Sequence, residues 1–325
     1  MIQINRRQFS VLAAGAVATL TTGASPLLAN EVKGLELLAP SAPGSGYDQL
    51  ARTMQAVLQE KRLASSVQVQ NVAGGGGTVG LSQFITSRKR APSILVFGFA
   101  LMGGIITTKS AVTLDQVVPL ARLMGEANVI VVPASSDIKT MADLVAKLKA
   151  NPQAVSWAGG SIGGIDHVMV GLIAKTVGVD PTKVNYVVHA GGGEVLASTL
   201  GGHATVGISG FEEFRSQIEA GKLRALAISS GERMPGVDVP TLKEGGVDLA
   251  IMNWRGLAVH ASTSEEEKKA LAEMIAAMAK TEEWKAALQK RGWLDTYLPP
   301  AGFASFLKEE QVRVATALKD VGLSQ

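Results

Sequence analysis

Four glycine-rich segments constrain the fold of this chain more than any other feature. They are Ser41-Ala42-Pro43-Gly44-Ser45-Gly46-Tyr47, Ala73-Gly74-Gly75-Gly76-Gly77-Thr78, Gly159-Gly160-Ser161-Ile162-Gly163-Gly164 and Ala190-Gly191-Gly192-Gly193-Glu194. Each follows a short strand-like run and opens a helical one. Around the first, residues 34–39 read as a buried strand, and 48–61 carry Leu50, Ala51, Met54, Val57 and Leu58 as a helical stripe. Around the second, 67–70 alternate like a strand and 80–87 continue as a helix. Around the third and fourth, strands at 155–158 and 184–188 precede helices at 165–177 and 194–200. Strands at 93–98 and 204–208 and a helix at 211–220 keep the same rhythm. Strand and helix alternating at this spacing predict an α/β chain with largely parallel sheets. The last third reads as helical, at 265–280, 282–291 and 303–321.

Such loops have a chemistry. Ligands of open α/β sheets bind outside the carboxyl ends of the strands. A helix N-terminus presents unpaired N–H groups and the positive end of its dipole, and glycine lets that backbone come close to a ligand. Four such ends facing one cleft make an anion site that needs little or no arginine.

Two motif matches compete with that reading. Gly75, Gly77 and Gly80 fit the spacing of a dinucleotide fingerprint, but the following strand ends without the acidic residue that would hold a ribose. Gly159, Ser161 and Gly163 fit a hydrolase nucleophile elbow, with Asp238 or Asp248 and then His260 as triad partners. The lipase-like stretch 189–193 follows Ser161, whereas the hydrolase order places it before the nucleophile. There is no cysteine, and His167, His189, His203 and His260 form no i, i+3 or i+4 pair, so neither disulfides nor a zinc site is expected. No basic run suggests nucleic acid.

The first 29 residues read as an export signal. Asn5-Arg6-Arg7-Gln8-Phe9-Ser10 is a basic start suited to the twin-arginine route. Residues 11–20 are apolar but too short to span a bilayer, which needs about 20 residues. Leu27-Leu28-Ala29 is a plausible cleavage site. Its removal takes two arginines and leaves the chain close to neutral, against +3 for the whole. The remainder is near the length at which chains divide into two lobes. The extended runs 128–133 and 256–260 are read as paired crossovers. The division expected is 30–131 plus 257–325 for the first lobe and 132–256 for the second.

The segments together resemble the substrate-binding proteins of tripartite tricarboxylate transporters, the TctC or Bug family. The resemblance rests on Ala42-Pro43-Gly44-Ser45-Gly46-Tyr47-Asp48 with Ala51-Arg52, on residues 70–80, and on 159–164 with Asp166-His167. It continues through Asn185-Tyr186 to Gly191-Gly192-Gly193, residues 200–202, Gly221-Lys222-Leu223-Arg224-Ala225-Leu226-Ala227 and residues 239–246. Departures include Ser45 and Gly46-Tyr47 in the first loop, which bear on the fit of the ligand. The resemblance implies a type II periplasmic-binding-protein fold, two α/β lobes joined by crossover strands with a ligand cleft between. It implies a monomeric periplasmic receptor without cofactor, metal or catalysis. That receptor would take a small carboxylate, with a tricarboxylate such as citrate suggested by the second-lobe loops, and pass it to a large and a small membrane subunit. Sensing for a signalling partner is an alternative role.

The candidate ligand-binding residues are Ser41, Gly44, Ser45, Gly46, Tyr47, Asp48, Gly75, Gly76, Gly77 and Thr78 in the first half. In the second half they are Ser161, Gly163, Gly164, His167, Gly191, Gly192, Gly193 and Ser209. Some have plainer readings: Asp48 as a local cap, Arg52 as a surface ion pair, His167 as a buried structural histidine. Trp254 and Arg255 are read as packing at the second crossover.

Overall fold

A computed structural model describes residues 32–87, 91–234 and 236–324. The export signal expected at 1–29 lies outside the described residues. Two mixed sheets form the framework.

The first sheet begins with β1 (Leu35–Ala39), α1 (Gly46–Glu60), β2 (Val67–Asn71), α2 (Thr78–Thr86), β3 (Ser93–Gly98), α3 (Phe99–Thr107) and β4 (Val117–Glu126). The second holds β5 (Asn128–Pro133), α4 (Met141–Ala150), β6 (Ser156–Gly159), α5 (Ile165–Thr176), β7 (Asn185–Val188), α6 (Gly192–Leu200), β8 (Val206–Gly210), α7 (Phe211–Glu219) and β9 (Leu223–Ile228). The chain then returns to the first sheet with β10 (Asn253–His260), α8 (Glu265–Lys280), α9 (Glu282–Lys290), β11 (Leu294–Leu298) and α10 (Pro300–Asp320).

The strand orders are β11-β4-β10-β3-β1-β2 and β7-β6-β8-β5-β9. In the first, β1 runs parallel to β2 and β3, while β10 runs antiparallel to β3 and β4. In the second, β6 is parallel to β7 and β8, while β5 is antiparallel to β8 and β9. The parallel pairs carry the strand-turn-helix units read from the sequence. Their carboxyl ends therefore deliver the glycine loops to one edge of each sheet.

The chain passes between sheets at Ala127, and Asn253 pairs with Glu126 where it returns. The runs 128–133 and 256–260 lie just beyond these passages, inside central strands. Both are almost wholly buried, which removes the polar alternation that would mark a strand by sequence.

Burial explains the other elements. β3 is buried throughout, as a strand covered by helices on both faces should be. Alternate residues of β5 serve different cores. Ile130 and Val132 join the core shared with the first sheet; Val129 and Val131 pack with Val195, Phe211 and Phe214. The last helix fastens the molecule. Phe303 of α10 packs on Phe97 and Trp254, with ring centroids 5.6 and 5.8 Å apart. At its far end Asp320 pairs with Lys175 of α5 at 2.8 Å.

Candidate functional site

The glycine loops of both sheets meet at a cleft of about 340 Å³. Helices α1, α2, α5 and α6 start there on Ser45, Gly77, Gly164 and Gly191, and none of these starts has a side-chain cap. Three helices that start elsewhere are capped, Thr140, Ser264 and Thr281 accepting from first-turn amides of α4, α8 and α9; α3, α7 and α10, on Gly98, Gly210 and Pro299, are uncapped as well. An uncapped helix start keeps its N–H donors for a ligand.

In the first loop, the Ser45 hydroxyl donates to Ser41 Oγ at 2.5 Å. Tyr47 is buried, and its hydroxyl oxygen accepts the Leu101 N–H of α3 at 3.0 Å. Burial pushes the Tyr47 pKa up to about 12, so the ring stays neutral. Asp48 turns back on its own loop. It accepts the Gly44 N–H at 2.8 Å and the Arg52 Nε–H at 2.9 Å. Burial opposes its charge, but these two donors prevail and hold its pKa below the ordinary value.

The second loop runs through four consecutive positive φ angles, 128°, 57°, 64° and 102° at Gly74, Gly75, Gly76 and Gly77. Residues with a Cβ resist that region, so the run of glycines is a conformational requirement. The Thr78 hydroxyl donates to Gly75 O at 2.9 Å and closes the turn from behind.

The second sheet brings acids. Asp166 opens α5 and accepts the Gly160 N–H at 2.9 Å and the Asn128 side-chain amide. Burial pushes its pKa up to about 7, with Glu213 and Glu126 adding to the effect. Glu213 of α7 accepts the Ser209 hydroxyl. Burial, then the nearby Glu126, raise its pKa. Glu126 pairs with Arg255 at 2.6 Å, both side chains being 7 % exposed.

Twelve of the expected residues line the cleft: Ser41, Ser45, Gly46, Tyr47, Gly75, Gly76, Gly77, Ser161, Gly164, Gly191, Gly192 and Ser209. Six do not. Gly44, Asp48 and Thr78 build the loops from behind, as their hydrogen bonds show. Gly163 packs against Gly103 and Thr107 of α3, and Gly193 sits in the first turn of α6, off the cleft wall. His167 stacks on Tyr186 at 4.0 Å with the rings 3° from parallel, and burial pushes its pKa down to about 4. A neutral stacked ring fits the structural reading of that histidine.

The sequence reading missed the cleft residues Glu126, Asn128, Asp166, Glu213 and Asn253, and assigned Arg255 to packing. Asp166 and Glu213 resemble ordinary acids in a first helical turn, and only the fold makes them neighbours. The polar residues Glu126, Asn128 and Asn253 at the two sheet passages were the available signal.

Ser161 lines the cleft, but its proposed triad partners are elsewhere. His260 Nε2 bonds the Ile85 carbonyl at 2.9 Å, Asp238 pairs with Arg233 at 3.4 Å, and Asp248 with Lys243 at 3.4 Å. No histidine lines the cleft among the described residues. Among those residues no group of three or more His, Cys, Asp or Glu side chains is placed to hold a metal ion. No described helix is long and apolar enough to cross a membrane.

A sequence profile described as the tripartite tricarboxylate transporter family receptor, TctC, matches residues 50–323. Protein BugT of Bordetella pertussis is 29 % identical over 223 residues, 65 % of this chain and 65 % of its own, so the match spans just under two thirds of that relative. Among solved structures, an R. palustris protein determined with adipate superposes with a TM-score of 0.82 at 20 % identity, covering 89 % of this chain and 97 % of its own. MatC from Rhodopseudomonas palustris, with bound malate, gives 0.77 at 20 % identity, covering 88 % and 99 %. The periplasmic binding protein BugD superposes with a TM-score of 0.80 at 19 % identity, covering 90 % of this chain and 98 % of its own, and at these identities the three structures establish a shared periplasmic-binding-protein fold.

Proposed function

The chain belongs to the tripartite tricarboxylate transporter receptor family, a family of solute-binding receptors, and from that premise we propose that it captures a small carboxylate outside the cytoplasmic membrane. The observation that carries the reading is the convergence of four uncapped helix starts on one cleft. Their amides, with the hydroxyls of Ser41, Ser45 and Ser161, form a donor surface suited to a carboxylate. The adipate and malate of the structural relatives support the same ligand class.

The proposal extends to lobes and partners. The chain divides into two lobes, expected at 30–131 with 257–325 and at 132–256; in support, the strands change sheet close to those bounds, at Ala127 and Asn253. The lobes close on ligand, and the monomeric, exported receptor delivers it to a large and a small membrane subunit. A tricarboxylate such as citrate is the finer expectation from the loop sequences. It would bring several negative charges toward a wall holding three acids and one arginine, so it is one arm of the test rather than the premise.

Charge-assisted hydrogen bonds contribute about 1.5–3 kcal/mol each, so three or four support micromolar binding. A ligand at a hundred times its Kd stabilises by about 2.7 kcal/mol and raises Tm by roughly 5–11 °C for lobes of this size. A thermal-shift panel of citrate, malate, succinate, adipate, glutamate and an aromatic diacid should give such a shift with at least one acid. A p-nitrophenyl ester should not be turned over. A flat panel, or ester turnover abolished by Ser161→Ala, would sink the reading.

A further inference from the structure

The walls of the cleft differ in charge. The first-sheet loops contribute Ser41, Ser45 and the glycines 74–77, with no charged side chain. Among the described residues lining the cleft, the charged ones are Glu126 on β4, Arg255 on β10, Asp166 on α5 and Glu213 on α7. Arg255 is committed to Glu126. Asp166 and Glu213 face one another's field; Arg255 eases both at a distance, but its ion pair is with Glu126.

Each of the two is nevertheless held by donors that favour the charged form: the Gly160 N–H and Asn128 amide on Asp166, and the Ser209 hydroxyl on Glu213. Asn128 adds an independent sign. It is 1 % exposed and lines the cleft, yet its Oδ1 has no hydrogen-bond partner. A buried carbonyl oxygen without a donor is costly. This side of the cleft therefore offers three acceptors, Asp166, Glu213 and Asn128 Oδ1, and lacks a donor to match. An ammonium group has three N–H donors and one positive charge. Among the described residues no group of three or more His, Cys, Asp or Glu side chains is placed to hold a metal, and three acceptors around one charge match an organic ammonium.

We propose that the ligand is an amino-carboxylate, its carboxylate at the glycine loops and its ammonium group at Asp166, Glu213 and Asn128. This rests on the carboxylate-receptor reading above and narrows it. A second carboxylate in that place would instead meet two acids, and would need both protonated.

Calorimetric titration of the purified protein decides the matter with chain-matched pairs: 4-aminobutyrate against succinate, 5-aminopentanoate against glutarate, aspartate against malate. At pH 8 at least one amino-carboxylate should bind ten times or more tighter than its dicarboxylate partner. Its affinity should fall at least about tenfold at pH 5.5, where a carboxyl titrating near 7 is mostly protonated. Neutral His167, stacked behind on Tyr186, does not change charge over that range. Glu213→Gln, which keeps the shape, should weaken the amino-carboxylate about tenfold and leave the dicarboxylate unharmed. The pH comparison needs no variant to fold. Dicarboxylates binding as tightly at pH 8, and more tightly at pH 5.5, would overturn the inference and leave the carboxylate receptor standing. No binding by either class at either pH would overturn the receptor reading and this inference together.

Discussion

Asp166 sits where folding works against its charge. Its folded pKa of about 7 exceeds the ordinary 3.8, chiefly through burial. Between those values the folded chain keeps a proton that the unfolded chain has lost. Stability from this group is therefore present at low pH, declines as pH rises toward 7, and is level above. Asp166→Asn removes the effect while the amide oxygen can still accept the Gly160 N–H. The variant should gain on the parent by about 2–3 kcal/mol between pH 5 and pH 8, at about 1.4 kcal/mol per pKa unit. Urea unfolding at the two pH values reads the difference directly; a difference that does not change with pH would show that Asp166 ionises normally. At this scale the sequence disclosed the loops and not the acids. A run such as Gly74 to Gly77 has one physical use, a backbone path closed to other residues, and can be read locally. An aspartate two residues into a helix has several uses. What makes Asp166 a cleft residue is Asn128, far away in sequence.

Elements with one wet face were legible, and those without were not. α1 shows a clear stripe because its outer face carries Gln and Arg. α3, Phe-Ala-Leu-Met-Gly-Gly-Ile-Ile-Thr, has no polar face to set a period, since it is wedged between β3, the Gly75 loop and α5. β4 and β10 were hidden or shortened for the same reason. α10 was legible, but its central anchor was not. Glu310 is 3 % exposed and accepts from Trp254 Nε1 at 2.7 Å, with Arg313 bonded beside it at 2.5 Å. Glu310→Ala strands the indole N–H and leaves a cavity at the sheet. It should cost about 1–3 kcal/mol, the usual penalty for an orphaned buried donor, while Glu310→Gln keeps an acceptor and should recover most of that loss. Chemical denaturation of both variants checks the pair; equal losses would place the effect in Arg313 instead of the tryptophan bond.

At the scale of the whole molecule, one contact between the two halves lies beside the cleft itself, between α3 and the loop before α5. Gly103 of α3 faces the Gly163 carbonyl so closely that a Cβ at 103 would collide with it, and Gly163 in turn rests on Thr107. Backbone meeting backbone leaves no side chain to move aside. If the lobes close on ligand, this is the stop against which they close. Gly103→Ala then acts on the two states in opposite directions. In the open state the added methyl is free of the opposite lobe, and alanine stabilises a helix interior by up to about 1 kcal/mol over glycine. In the closed state the same methyl forces the lobes apart. Ligand-free Gly103→Ala should therefore unfold at the same temperature as the parent or slightly above it. Its affinity for the best-bound acid of the panel should fall at least about tenfold, because the closed state has become harder to reach. Small-angle scattering with that acid at saturation should show a larger radius of gyration than the parent's. Retained affinity with a lowered melting temperature would mean that the Gly103 contact is fixed packing and that closure, if it occurs, happens about some other point.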